Sequence, residues 1–141
     1  MHEFSCQRRI EFSDTDMGGI VHFARFFVFM ETAEHEFFRS LGGSVHREID
    51  GKRIGWPRVA ASCDYKAPAR FGDLLDIQLR VVRKGVKSMT YGFDFRCGDT
   101  LIARGILTAA CCELDPETGM RAIPIPPVIA DLLEEAPTLD D

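Results

Sequence analysis

Two aspartates stand two positions apart in Asp14-Thr15-Asp16-Met17-Gly18-Gly19, where an alternating stretch gives way to a long helical pattern. An aspartate ahead of a helix ordinarily caps it or shapes the turn before it. A chemical use is also open to it. The first amides of a helix lack internal acceptors, point outward and favour negative charge. A carbonyl oxygen resting on them is stabilised as it gains charge during acyl transfer. Asp16 is placed to act on that same carbonyl carbon, or on a water beside it. A carboxylate with oxyanion donors is a sufficient kit for thioester hydrolysis, because a thiolate leaves with little general-acid help. Two other chemistries fit less well. A calcium loop starting at Asp14 would put Gly18 and Arg25 at its fifth and twelfth positions, where neither is a ligand. A paired-aspartate phosphatase loop would need further lysine and acidic motifs in a larger α/β chain.

The elements that must hold this loop are legible in the hydrophobic period, which runs from two to 3.6 and back once. Residues 8–13 alternate, with Ile10 and Phe12 on one face. Residues 23–41 are helical in pattern: Phe26, Met30, Ala33, Phe37 and Leu41 form one seam, widened by Phe27 and Phe38, and Gly42-Gly43 ends it. Four strand-like runs follow, at 59–66, 75–81, 89–96 and 101–113, separated by turns at Gly72-Asp73, Lys84-Gly85 and Gly98-Asp99. Residues 128–135 read as a short amphipathic helix. The fold class is α+β: one aromatic helix against a meander that must curl around it to bury it. Such a sheet leaves edges exposed, so a dimer is expected.

With these elements in place, three segments carry a resemblance. Asp14-Thr15-Asp16-Met17-Gly18-Gly19-Ile20-Val21, the helical Phe29-Met30-Glu31-Thr32-Ala33, and Tyr65-Lys66-Ala67-Pro68-Ala69-Arg70-Phe71-Gly72-Asp73 resemble the 4-hydroxybenzoyl-CoA thioesterase class of the hot-dog superfamily. The resemblance runs over about residues 8–127. It implies a long central helix wrapped by a curved antiparallel sheet of about five strands, with a short C-terminal helix, the whole of residues 1–141 forming one hot-dog thioesterase domain. It implies an acyl-CoA substrate, homodimers or homotetramers, and active sites at the subunit interface. Asp16 matches the catalytic carboxylate, as general base or nucleophile, and the backbone amide of Phe23 matches the donor that polarises the carbonyl. Gly19, in the matching loop, is expected among the substrate-binding residues.

The sequence departs from the class at two places. Relatives acting on short acyl-CoAs often carry a histidine at the position of Phe23, whereas this chain has His22; one residue at a helix start turns a side chain by about 100°. His22 is therefore either a substrate-side residue or a solvated one. Where relatives often read Glu-x-Ala-Arg, this helix reads Glu31-Thr32-Ala33-Glu34, so any part of that arginine in dimer pairing is lost or replaced. Glu31 lies at the border of the apolar seam, to line the acyl pocket or to pair structurally. Arg83, Lys84 and Lys87 form a basic turn that the resemblance places against the phosphates of coenzyme A. A hot-dog dehydratase is one alternative, but Ala24-Arg25-Phe26 after His22-Phe23 breaks its pattern. A non-catalytic acyl-CoA-binding protein is another.

The remaining composition narrows the partners. The 141 residues carry a net charge of -5, which disfavours nucleic acid and anionic lipid as main partners. No apolar run reaches the length of a membrane span, the first residues form no signal peptide, and a cytoplasmic location is expected. The five cysteines include no Cys-x-x-Cys pair, so neither a disulfide framework nor a zinc site is expected. Cys63, Cys97 and Cys111 read as small core residues. No metal or cofactor is expected.

Overall fold

The computed structural model describes residues 1–44 and 46–137. In chain order the elements are β1 (Glu3–Arg9), α1 (Arg25–Ser40), β2 (Arg47–Ile49), β3 (Lys52–Gly55), β4 (Arg58–Tyr65), β5 (Leu74–Lys84), β6 (Ser88–Cys97), β7 (Thr100–Ala110), β8 (Cys112–Asp115), β9 (Gly119–Ala122) and α2 (Pro127–Ala130). A 3-10 turn at Phe12–Asp14 separates β1 from the loop of interest. The main sheet has the order β1-β5-β6-β7-β4 with every neighbour antiparallel. A smaller sheet, β2-β3-β8-β9, prolongs the β4/β7 pair, since β3 runs into β4 and β7 into β8. Among the described residues no helix is long and apolar enough to cross a membrane.

Alternation along β5 and β6 turns Leu75, Ile77, Leu79, Val81, Met89, Tyr91, Phe93 and Phe95 inward, all buried. They meet Phe26, Phe29, Met30, Ala33, Phe37 and Phe38 of α1. Each phenyl group buried this way stabilises the fold by roughly 2–3 kcal/mol. The helix comes so close to β7 that a Cβ at Gly105 would overlap the Met30 side chain. The sheet therefore wraps α1, and the start of the helix packs through Phe26 on Tyr65 of β4 and Phe95 of β6.

Several expectations are corrected. The alternating run at 8–13 is not the first strand. β1 lies earlier, and the chain turns at Phe12–Asp14 because the Asp14 carboxylate accepts the Glu11 amide at 2.9 Å; Phe12 is left 79% exposed rather than on a buried face. The four later strands are not a simple meander. β7 is buried on its inner face along most of its length and takes a partner on each side, so β4 pairs with β7 and the chain crosses over to reach β5. As an edge strand β4 leaves Val59 and Tyr65 exposed. The last helix is shorter than 128–135, although Leu133 still packs into the core. The helical seam omits Phe29, which is buried, and Glu34, a buried carboxylate.

Candidate active site

Asp14 and Asp16 have separate work. Asp14 is buried, and its carboxylate takes Arg25 Nε at 3.0 Å, Arg25 Nη2 at 2.8 Å and Arg8 Nη2 at 3.3 Å. Its carbonyl accepts the His22 amide at 2.9 Å. One residue thus ties both ends of the loop together. Burial alone would push the Asp14 carboxyl up; the Glu11 amide and the guanidinium groups of Arg25 and Arg8 outweigh it and hold it below the ordinary carboxylate range. A depressed carboxyl gives stability that is present above the unfolded value of about 3.9 and lost as pH falls through the lower folded one. Asp14→Asn is therefore expected to flatten the acid limb of stability below pH 4. Urea unfolding across that range checks this, and an unchanged acid limb contradicts it.

Asp16 is exposed and free of ion pairs among the described residues. Its amide donates to the Ile20 carbonyl at 3.0 Å and its carbonyl accepts the Gly19 amide at 3.0 Å, closing a tight turn whose positive φ of 80° falls on Gly19. Oδ1 accepts the Gly18 amide at 2.9 Å. Oδ2 has no protein donor among the described residues. The Val21 amide then binds the Ala69 carbonyl at 2.8 Å, seating the loop on the Ala67-Pro68-Ala69 segment. Between them lies an apolar cleft of about 480 Å³ that contains Asp16, Val21, Phe23, Phe26, Tyr65 and Pro68. Two slightly larger depressions, of about 520 and 550 Å³, contain no residue of the loop.

Accounting for the backbone from 22 to 25 isolates one donor. The His22 amide goes to Asp14, and the Arg25 amide to the His22 carbonyl at 2.9 Å. The Ala24 amide goes to His22 Nδ1 at 3.2 Å, and the Phe27 amide to the Ala24 carbonyl at 3.2 Å. Tyr65 Oη donates to the Phe23 carbonyl at 2.9 Å. Among the described residues, the Phe23 N–H is the one amide of residues 22–25 with no acceptor; the Phe26 N–H, in the first turn of α1, also has none. Helix α1 opens at Arg25 with Ala24 as N-cap, so the free amide sits just ahead of the helix rather than in its first turn. The cleft is thus lined both by Asp16, whose Oδ2 has no donor, and by Phe23, whose N–H has no acceptor, among the described residues; these are two kinds of group that acyl transfer uses.

The other residues singled out from the sequence fall elsewhere. Gly19 shapes the turn and does not line the cleft. His22 is exposed and outside the cleft lining; it stacks on Phe23 at 4.7 Å and accepts the Ala24 amide on Nδ1. Glu31 stands 3.6 Å from Arg58 in a second cleft, with Glu34, His35 and Trp56, and is not beside Asp16 in the chain. Arg58 also binds Glu34 twice, at 2.9 and 2.5 Å, so the buried acid of the departing Glu-Thr-Ala-Glu run has an arginine from β4. Lys84 Nζ is committed to the Ala130 and Leu133 carbonyls at 2.9 and 3.0 Å, where it satisfies the end of α2. Arg83 and Lys87 are exposed at the far end of β5, roughly 30 Å along the strand from the aspartate loop. Cys63 and Cys97 are half-buried rather than core, Cys111 is fully buried, and burial pushes every one of these thiols up, Cys111 to about 11. Tyr65 and the Ala67-Pro68-Ala69 wall are the site residues that sequence reasoning missed. Their signal was the Tyr-x-Ala-Pro-Ala-Arg run itself, read there only as part of a resemblance.

A family model described as the thioesterase superfamily matches residues 18–104. The acyl-CoA thioesterase YbgC of Haemophilus influenzae is 28% identical over 113 residues, covering 79% of this chain and 82% of that protein. The solved structure of the gentisyl-coenzyme A thioesterase BH1999 superposes with a TM-score of 0.78 at 30% identity, covering 89% of this chain and 98% of that one. The 4-hydroxybenzoyl CoA thioesterase of Pseudomonas sp. strain CBS-3 superposes with a TM-score of 0.79 at 23% identity, covering 94% and 99%, a likeness of fold. With its sheet wrapped on one long helix, which lies inside the matched region, this chain belongs to the thioesterase superfamily and has the hot-dog fold.

Proposed function

We propose that this chain hydrolyses acyl-CoA thioesters to a free acid and coenzyme A, with Asp16 as general base or nucleophile and the Phe23 amide as oxyanion donor. The observation that carries this reading is the pairing, across one apolar cleft, of Asp16 with a residue whose N–H lacks an acceptor. Its relatives' names support the substrate class: they include an acyl-CoA thioesterase and a gentisyl-coenzyme A thioesterase. The acyl group lies against Phe26 and Tyr65, whose rings meet edge to face at 5.4 Å. Either water losing its proton to Asp16 or the Asp16 carboxylate itself attacks the carbonyl carbon; the Phe23 N–H donates to the oxygen as it gains charge, the C–S bond breaks with coenzyme A leaving as thiolate, and in the second route water then cleaves the acyl anhydride. The cap from His22 to its own Ala24 amide speaks against a histidine-driven dehydratase. Thiol release from a panel of aliphatic and hydroxybenzoyl-CoA thioesters tests the proposal. Binding without release counts against it. In a single turnover in oxygen-18 water, label recovered in Asp16 identifies attack through an acyl anhydride.

The active unit we propose is an assembly, a homodimer or a homotetramer built from it, working in the cytoplasm. β4 is an open edge with Val59, Ala60, Ala61 and Ser62 exposed. Antiparallel pairing with a second β4 is self-complementary and removes that edge. It also reverses the partner's sheet. In register, Arg58 aligns with Ala109, Met89 and Lys84, while Tyr65 aligns with Ala103, Phe95 and Ile77. Reversal therefore carries the Arg58 end of the second copy to the Tyr65 end of the first. The partner subunit's Glu31 and the partner subunit's basic turn come to the cleft that Arg83 and Lys87 of the same chain cannot reach. Ala61→Lys is expected to yield a folded monomer with at least tenfold lower kcat/KM, read by light scattering and thiol release. A fully active monomer, or a variant that stays dimeric, contradicts this assembly.

A further inference from the structure

We infer that Tyr65 is a positioning residue for the reaction: its hydroxyl, by holding the Phe23 carbonyl, fixes the free Phe23 amide in the direction the substrate carbonyl requires. This rests on the proposal that the Phe23 amide is the oxyanion donor. The need for such a hold follows from how the helix begins. In a helix carried back one more residue, the Phe27 amide would take the Phe23 carbonyl; here it closes a tighter turn on Ala24 at 3.2 Å. The Phe23 carbonyl is left without a helical donor, and Tyr65 Oη supplies one from β4 at 2.9 Å. Without that bond, residue 23 would be pinned only through its neighbours, and Phe23 is 62% exposed, so packing does little to hold it. A donor that points at a developing oxyanion is useful in proportion to how little it must reorganise.

The tyrosine is itself well placed for this. It ends β4, its ring meets Phe26 edge to face, and it forms part of the cleft wall beside Asp16. Burial, with the neighbouring Cys63 thiol, pushes the Tyr65 phenol up, so it remains a hydrogen donor throughout the neutral range. Nothing in the sheet's own hydrogen bonding requires the hydroxyl, since the backbone of Tyr65 pairs with Ala103 in any case. Phenylalanine at this position would keep the wall and the ring contact and would lose only the hold on residue 23.

Tyr65→Phe is accordingly expected to lower kcat about tenfold, with KM and the melting temperature nearly unchanged. A purely structural hydroxyl would leave kcat alone or change stability with it. The second reading is vibrational. A thioester bound to the Asp16→Asn variant should show its carbonyl stretch at lower wavenumber than in water, and adding Tyr65→Phe should remove part of that shift. If Asp16→Asn turns over normally, the proposed function fails. If Asp16→Asn is inactive while Tyr65→Phe leaves both kcat and the carbonyl shift intact, the role given to Tyr65 alone is overturned.

Discussion

Replacing Asp16 with Asn is expected to lower kcat by about 10³-fold, the range lost when a positioned general base is removed. The substitution is close to isosteric, and an amide oxygen at Oδ1 still accepts the Gly18 amide, so the turn keeps its shape. Asp16 is exposed and holds no ion pair among the described residues, so stability should move by less than about 0.5 kcal/mol. A residual rate above background should survive, because the Phe23 amide and the cleft remain. Steady-state thiol release beside a melting curve separates chemistry from folding. A variant with near-normal kcat would show that another group drives the reaction.

The second large effect falls on stability. Arg58→Ala strips the partner from Glu34, a carboxylate with no exposure on the buried face of α1. Leaving an uncompensated charge there should cost about 3 kcal/mol. For a chain of this length that corresponds to a fall in melting temperature of roughly 10 °C. The pH dependence has a definite sign. Burial is the main cause that pushes the Glu34 carboxyl up, and loss of Arg58 pushes it further. A raised carboxyl takes up a proton more readily folded than unfolded, so the deficit should shrink as pH falls from above the folded value toward about 4.3. Urea titrations between pH 8 and pH 5 test this. A deficit of the same size throughout would mean that Glu34 is not the charge left behind.

The aspartate loop, the helix and the main strands were legible because each has a local cause: a glycine-bearing turn, a 3.6-residue seam, strict alternation. Pairing partners were not, because β4 and β5 follow one another in sequence and only the demand of β7 for a second neighbour separates them. Nothing in the local sequence marks Glu34 as buried, since its burial depends on Arg58, 24 residues away on another element. Asp14 and Asp16 looked alike by type and spacing. Their difference comes from Arg8 and Arg25, which fold onto one and leave the other free. The basic turn is marked by likeness of residues alone, and the contact of Lys84 with the end of α2 has no local signal. The hydroxyl of Tyr65 was invisible to periodicity, which registers only that a large residue ends a strand.

A structure of the Asp16→Asn variant holding an intact acyl-CoA thioester would bring the carboxylate position, the amide and the substrate into one view. The thioester carbonyl oxygen is expected about 2.7–3.1 Å from the Phe23 nitrogen, with its carbon facing residue 16. A thioester bound with its carbonyl directed away from that nitrogen, or lodged outside this cleft, would contradict it.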